Sequence, residues 1–508
     1  MTSFPWLTVI GGVPLVGAII VAAMPKASTE AAKRFALAVS CIVVVLTAVM
    51  AAQFRIDGPR FQFVEDYAWI PQFGVRYSLG LDGIGLVLVG LTVLLVPIAL
   101  LGAWREKGAV SGEDGPGIKG YFALALVLET AVIGVFAATD LFVFYVLFEV
   151  MLVPMYFMIG RYGGPRRQYA AVKFFLYSLL GGMLMLAAVI GLAVIARQQG
   201  QTTFGFEALT QVDLSDSAAR WLFLGFFIAF AIKAPMWPFH TWLPDAASEG
   251  RPTSALLLVG LMDKAGTFGM IRYCLELFPQ AAHFFTPVIV GLAVISVLYG
   301  ALAAIGQKDL LRLIAYTSVS HFGFIVLGIF AMTSQGQVGA TFYMVSHGFS
   351  TGALFLLAGV LIARHGSRQI DDYGGVVKVA PVLAGTFLIA CLSGLALPGM
   401  STFISEFLVL LGTFGRYPVA AIVATLGIIL AAFYMLWLYQ RTMTGTPGAG
   451  VEKIRDLGRR EKLAVAPLIA LLLFLGLFPK PVLDVIDPAV QHTMTRLDVQ
   501  DVSAEVQP

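Results

Sequence analysis

Apolar runs recur along this chain from one end to the other. Each is about 20 residues long, which is the length that an α-helix needs to cross the hydrocarbon core of a bilayer. Of the 508 residues, 58% are hydrophobic and 12% are charged, whereas a soluble domain carries roughly 25% charged residues. The pattern predicts an all-α polytopic membrane protein.

We predict fourteen transmembrane spans, of which the seventh and the twelfth are broken helices. The spans cover residues 4–24, 35–54, 80–103, 121–138, 140–160, 170–196, 220–240, 253–276, 284–305, 311–332, 338–363, 379–414, 418–440 and 463–480. In the seventh, Pro235 follows Lys233 and leaves the carbonyl of Ala231 without its helical donor. In the twelfth, Pro398 does the same to Gly394. Such groups are costly in hydrocarbon unless water or protein satisfies them.

The distribution of basic residues predicts the orientation. Of the 33 Lys and Arg residues, 22 fall in loops on one side and 8 on the other, and Lys233, Lys264 and Arg272 fall inside spans. Because loops rich in Lys and Arg stay in the cytoplasm, both termini are predicted on the outer side of a bacterial plasma (inner) membrane. The N-terminus lacks a basic region and a cleavage site, so the first run is predicted to be a span and not a signal peptide.

The two broken spans suggest an internal repeat. Pro235 and Pro398 are 163 residues apart, and the segment around Gly182 resembles the segment around Gly352. Five spans separate the copies, so the second is inverted, as in many transporters. We predict an N-terminal three-helix segment (1–110), a first antiporter-like five-helix repeat (121–276) and a second inverted repeat (284–440). A cytoplasmic loop, the last span and a polar tail follow (441–508).

Other classes of site have little support. Cys41, Cys274 and Cys391 lie far apart in apolar segments, without disulfide or iron–sulfur spacing. No Gly-rich phosphate loop follows a strand, and no third ligand accompanies the two histidines of spans ten and eleven. We expect no nucleotide site, no metal site and no nucleic-acid partner.

Buried charges are the candidate functional residues, since each costs at least ~2.5–3.5 kcal/mol at a helix centre. Glu149 has no cation within one turn of its own helix, and Pro154 softens the helix beside it. Lys233, next to the break, is the predicted counter-ion. Because a carboxylate favours the protonated lysine and burial favours the neutral amine, a change in their separation moves a proton. The alternative is a static ion pair that fixes helix packing.

Four further groups extend the predicted relay to the twelfth span: Lys264, His321, His347 and Glu406. Imidazole can take up a proton on one nitrogen and release it from the other. Hydroxyls lie one turn from the histidines, at Thr317, Ser350 and Thr351. Glu406 follows the second helix break and is the predicted end of the line.

Several other ionizable residues have less certain roles. Asp263 is adjacent to Lys264 but rotated about 100° around the helix, so the two should face different neighbours. Glu129 fits a packing role as well as a proton path. His240 lies near the cytoplasmic mouth of the first break, where it serves either water entry or helix capping. Arg272 is predicted to extend towards the outer boundary of the membrane.

Six motifs together resemble one family, and the resemblance covers residues 80–440. They are FEVMLVPMYFMIG (148–160), KFFLYS (173–178), GFFIAFAIKAPMWPFHTWLPDA (225–246), DLLRLIAYTSVSHFGF (309–324), SHGFSTGALFL (346–356) and LPGMSTFISEF (397–407). The chain is similar to the antiporter-like M subunits (chain-4 type) of bacterial NADH:quinone oxidoreductase, respiratory complex I.

This resemblance implies a proton-translocating subunit of an NADH:quinone oxidoreductase, driven by electron transfer elsewhere in the complex. It maps the functional residues to the same six positions, namely Glu149, Lys233, Lys264, His321, His347 and Glu406. It implies no cofactor in this chain, with NADH, flavin, iron–sulfur clusters and quinone in partner subunits. The expected neighbours are the L and N subunits and membrane lipids. Asp263 is not part of the expected pattern.

Two alternatives remain open at this stage. A sodium/proton antiporter subunit of the multi-subunit type shares the fold and the Glu/Lys pairs, and the broken helices offer carbonyls for Na⁺. A membrane scaffold without transport would tolerate apolar replacements of its buried charges, but it leaves the helix breaks unexplained.

Overall fold

Helices account for most of residues 4–105 and 117–501, which are the residues that the computed structural model describes. Lys107, the predicted segment boundary at residue 110 and residues 502–508 of the predicted polar tail lie outside this range.

The N-terminal part contains three long helices and a β-hairpin. These elements are α1 (Trp6–Ala23), α2 (Thr29–Ala51), β1 (Gln62–Ile70), β2 (Val75–Leu81) and α3 (Gly83–Ala103). The strands pair antiparallel, and the turn passes through Gly74, whose φ of 73° favours a residue without Cβ. The sequence pattern does not predict this hairpin, because apolar side chains such as Val64 and Trp69 are exposed and blur the alternation.

The next part carries the first broken span. Its helices are α4 (Ile118–Ala137), α5 (Leu141–Val150), α6 (Leu152–Tyr162), α7 (Arg167–Gln198), α8 (Phe206–Leu209), α9 (Asp216–Lys233), α10 (Trp242–Glu249), α11 (Pro252–Leu257) and α12 (Lys264–Gly269). The helix that contains α11 and α12 continues through two π-helical segments, Leu258–Met262 and Met270–Leu275. It is called the eighth span below.

The C-terminal part carries the second broken span. Its helices are α13 (Pro279–Ile305), α14 (Leu310–Phe330), α15 (Ser334–His365), α16 (Pro381–Gly394), α17 (Ser401–Arg416), α18 (Pro418–Met443), α19 (Arg459–Leu477) and α20 (Lys480–Arg496). The last helix, α20, continues into the predicted polar tail and ends at Arg496. This helix bends 72° away from α19.

Helical segments lie at all fourteen predicted spans, but fewer meet the stricter test of being long and apolar enough to cross a membrane as single helices. Among the described residues, 11 helices are long and apolar enough to cross a membrane, or 12 if α19 and α20 form one span. The segments that fail it alone are α9, the α16–α17 pair and α19, which are broken or carry charges. The count of fourteen, the inverted repeat and the domain boundaries therefore stay predictions.

The first break supplies hydrogen-bond donors to two carbonyls at the end of α9. The backbone N–H of Met236 donates to the carbonyl of Ala231 at 3.1 Å. The indole N–H of Trp242 donates to the carbonyl of Ile232 at 2.9 Å. Ala231 was expected to be an orphan, and the structure corrects this: the chain folds back on itself here and supplies its own donors, so α9 can end at Lys233 inside the protein.

Arg272 pairs within the protein, at the end of α3 that the predicted orientation places on the outer side. Its side chain is buried, and its Nη2 lies 2.5 Å from Oδ2 of Asp82 at the start of α3. A second, partly buried pair lies beside it, between Arg60 and Glu276 at 2.6 Å. Pairing within the protein removes the need to reach solvent. The Asp82 carboxylate also accepts from the backbone N–H of Gly85 and so caps α3.

We expect Asp82→Ala to destabilise the protein strongly. The change leaves Arg272 buried without its carboxylate, which costs about 3–5 kcal/mol for pairs of this kind. The thermal midpoint of the purified complex and the amount of this chain in membranes measure the loss. Asp66→Ala is the matched control, because it breaks a solvent-exposed pair with Arg76. Equal losses of stability from the two changes would show that the buried pair contributes no more to stability than the exposed pair.

Candidate functional site

Five of the six predicted relay residues are buried in the protein interior, and Glu149 is partly buried. The buried residues are Lys233, Lys264, His321, His347 and Glu406. They lie on the eighth span, on α14 and α15 and beside the two helix breaks. The six residues are called the relay line below.

Glu149 lies one residue before the end of α5, where the helix is interrupted before α6 begins. The carboxyl group packs against Gly182 of α7, so tightly that a Cβ at Gly182 would lie 1.9 Å from Oε1 of Glu149. Among the titratable groups, Lys233 is the cation that acts on this carboxylate electrostatically. Glycine at 182 is therefore what gives the Glu149 side chain its place.

Lys233 ends α9 and faces aromatic rings. Its Nζ lies 5.0 Å from the centre of the Phe148 ring and 5.8 Å from that of Phe174. Within the described residues, Nζ has no hydrogen-bond partner and no carboxylate within 4.0 Å. The predicted pairing with Glu149 is thus an interaction at a distance. Because the two groups are not in contact, the distance between them can shorten, whereas the groups of a static ion pair are already at contact distance.

The eighth span places Lys264 by means of a π-helical segment. In residues 258–262 the hydrogen bonds skip one residue more than in an α-helix, and the carbonyl of Val259 accepts from Nζ of Lys264 at 2.5 Å. Nζ also lies 2.7 Å from Nδ1 of His347 on α15. Extra residues of this kind occur often at functional sites, because they turn a side chain out of the regular helical register.

Two glycines bring α15 this close to the eighth span. A Cβ at Gly348 would lie 3.0 Å from the carbonyl oxygen of Gly260. A Cβ at Gly260 would in turn lie 3.6 Å from the carbonyl oxygen of Gly348.

The line continues from His347 to the second break. The ring centres of His347 and His321 are 5.3 Å apart, and His321 lies 5.8 Å from the ring of Tyr343. The Tyr343 hydroxyl donates a hydrogen bond to Oε1 of Glu406. His321 also lies beside the carbonyl of Gly394, the group released by the second break. Imidazole, phenol and carboxyl groups therefore form a continuous sequence between α14, α15 and α17.

Tyr343 is the functional candidate that the sequence analysis did not include. It lies four residues before His347 on α15, so the two side chains share a face of the helix. This four-residue spacing from a predicted relay histidine is the sequence signal that could have identified Tyr343. Ser405 extends the same polar region by donating to the hydroxyl of Ser346 at 3.1 Å.

The accessory candidates differ in their contacts. The hydroxyls of Ser350 and Thr351 are buried on α15 without a partner among the described residues, while Thr317 donates to the carbonyl of Ile314. His240 is buried next to the ring of Tyr299, with ring centres 4.9 Å apart. Glu129 is fully buried on α4, and neither of its carboxyl oxygens has a hydrogen-bond partner among the described residues.

The charge of Glu129 acts on Cys41 of α2. The role of Glu129 in a proton path stays a prediction. No group of three or more His, Cys, Asp or Glu side chains in residues 4–105 and 117–501 is arranged to hold a metal ion.

Comparison with known proteins identifies the family. The family model described as "NADH:quinone oxidoreductase/Mrp antiporter, TM" matches residues 138–431. NADH-quinone oxidoreductase subunit M of Mycobacterium tuberculosis is 51% identical over 535 aligned positions, which cover 100% of this chain and 97% of the relative.

Two solved structures share the fold. A chain of respiratory complex I from Thermus thermophilus with bound NADH aligns with a TM-score of 0.87 and 33% identity, over 97% of this chain and 99% of that one. A chain of the Mrp complex from Dietzia aligns with a TM-score of 0.86 over 98% of this chain and 100% of that one, but at 23% identity, which shows the fold alone. The chain belongs to the NADH:quinone oxidoreductase/Mrp antiporter family and, within it, to the M subunits of NADH-quinone oxidoreductase.

Proposed function

We propose that this proton-translocating membrane subunit of respiratory complex I moves protons along the relay line, from the Glu149–Lys233 pair to Glu406. The observation that carries the proposal is the contact between Lys264 and His347. An ammonium and an imidazole nitrogen 2.7 Å apart in the protein interior can share one proton, whereas two charged groups at that distance would repel.

The Glu149–Lys233 pair acts as the switch. When the carboxylate comes closer, the protonated form of Lys233 is stabilised, and when it moves away, burial favours the neutral amine. The helix interruption beside Glu149 and the break after Lys233 both lie where such a movement is needed. Small shifts of these two ends are enough to load or release the proton.

Transfer then runs through groups that both accept and donate. Lys264 exchanges a proton with His347, and the imidazole of His321 and the hydroxyl of Tyr343 continue the line to Glu406. Histidine and hydroxyl groups suit this role, because each can bind one proton while losing another. The buried hydroxyls of Ser350 and Thr351 provide sites for bridging water.

The rest of the machinery belongs to other subunits in this proposal. NADH, flavin, iron–sulfur clusters and quinone bind there, and this chain contributes to the enzyme as its proton-translocating part. Its neighbours in the multi-subunit membrane complex are the L and N subunits, with membrane lipids around them. The membrane is the bacterial plasma membrane, with both termini on its outer side, as the 22-to-8 distribution of Lys and Arg supports.

The sodium/proton antiporter alternative is not favoured. The match to an M subunit reaches 51% identity over the full chain, against 23% for the Mrp structure. A scaffold without transport is also disfavoured, because a scaffold gains nothing from Lys264 and His347 buried in contact.

The test of the proposal is the pair Lys264→Met and His347→Phe in the assembled complex. Each change removes one partner of the contact, and we expect proton uptake by inverted vesicles to fall at least about tenfold, since positioned proton-transfer groups contribute factors of 10²–10⁴. The double variant should be no worse than the more affected single variant, because both changes break one step. Additive losses, or pumping at the wild-type rate, would contradict the proposal.

A further inference from the structure

A gap separates the two lysines of the relay line, because none of its acidic groups lies between them. Lys233 ends α9 and Lys264 lies on the eighth span, and both are buried cations when protonated. Two like charges in a low-dielectric interior oppose each other's protonation. A line that passes protons from one to the other needs an acceptor or a negative charge between them.

Asp263 lies in this gap. Its carboxyl group is fully buried, and neither oxygen has a hydrogen-bond partner within the described residues. Lys264 and Lys233 are the charged groups that act on it electrostatically. A carboxyl group buried without a hydrogen bond is costly, and such groups inside membranes are functional candidates.

The packing of the eighth span explains how Asp263 comes to face Lys233. Gly266 lies one turn further along on the same side of the helix. A Cβ at Gly266 would lie 2.6 Å from the carbonyl oxygen of Phe230 and 2.7 Å from the backbone nitrogen of Ala234. This side of the span therefore presses against the end of α9, on either side of Lys233.

The π-helical segment completes the arrangement. The backbone N–H of Asp263 donates to the carbonyl of Leu258, five residues earlier, at 3.1 Å. Consecutive residues point about 100° apart on a helix. Asp263 thus faces α9 while Lys264 faces His347 on α15, and one short segment serves both halves of the line.

We propose that Asp263 is the relay group between Lys233 and Lys264, an inference that rests on the proposed function. A proton passed from the Lys233 ammonium to the Asp263 carboxylate leaves a neutral amine and a carboxylic acid. Transfer to the neutral amine of Lys264 restores the carboxylate and forms an ammonium. With Asp263 included, the charges alternate in sign from Glu149 to Lys264.

The test compares three variants of the assembled complex by NADH-driven proton uptake into inverted vesicles, normalised to the amount of complex. Asp263→Asn keeps the shape and removes the acid, and we expect uptake to fall at least about tenfold. Asp263→Glu keeps the acid and should retain clearly more activity than Asp263→Asn. Asp66→Asn is the control, because Asp66 carries a solvent-exposed carboxylate on β1 that pairs with Arg76. It should pump at the wild-type rate.

Several results would overturn the inference. These are wild-type pumping by Asp263→Asn, an equal loss in Asp66→Asn, or a failure of Asp263→Asn alone to enter the complex, which would make Asp263 a structural counter-charge. Lys233→Met separates the two proposals. If Lys233→Met stops pumping while Asp263→Asn pumps normally, this inference fails alone, and if both pump normally, the proposed function fails as well.

Discussion

Lys233→Met is expected to lower NADH-driven quinone reduction by at least about tenfold in a complex that still assembles. Methionine keeps the length and apolar stem of the side chain but removes the amine that can hold a proton. Because electron transfer and proton movement are coupled in such a complex, a blocked proton step also slows the redox reaction. Turnover per assembled complex, measured in membranes, gives the result.

Lys480→Met is the control for the Lys233 change. Lys480 is exposed, and its ion pair is with Asp484 on its own helix, not with a residue of the relay line. We expect turnover of this variant at the wild-type rate. Wild-type turnover in Lys233→Met would mean that the first break and its lysine have a structural role.

Gly182→Ala is expected to reduce turnover by about tenfold or more without touching any charged residue. The added methyl group would lie 1.9 Å from Oε1 of Glu149, so the carboxyl group must move. A displacement of about 1 Å in a reacting group can cost as much as 10²-fold in rate. The loss should appear in quinone reduction and in proton uptake together, since Glu149 sets the protonation of Lys233.

Two further variants test this explanation. Gly191→Ala, on the same helix, meets the flexible end of Leu222 at 3.0 Å and should be well tolerated. The double variant Gly182→Ala with Glu149→Asp shortens the displaced side chain by one methylene and should recover part of the activity lost in Gly182→Ala. A Gly182→Ala complex that turns over normally would show that the position of Glu149 is not critical.

The sequence signals for the relay line are local. A buried charge in an apolar run, such as Lys233, is costly enough to be conspicuous, and Pro235 marks the break beside it. The comparisons confirm the family, while the roles of the six relay positions stay predictions. The positions of the helices follow from the same apolar runs.

What the sequence did not predict depends on contacts between distant segments. The partner of Arg272 is Asp82, 190 residues away in the chain, and no local pattern indicates this pair. The π-helical segment before Asp263 packs against α15, where Gly260 lies beside Gly348, a residue distant from it in the sequence. Tyr343 is distinguished from other buried tyrosines by its contact with Glu406, which no local pattern shows.

The most direct test of the central claim is the initial rate of NADH-driven proton uptake into inverted vesicles that carry the wild-type or the Lys233→Met complex, in sodium-free buffer. The account predicts rapid uptake by the wild type without sodium and a loss of at least about tenfold in the variant, at equal amounts of assembled complex. Uptake that requires sodium, or uptake in Lys233→Met at the wild-type rate, would contradict it.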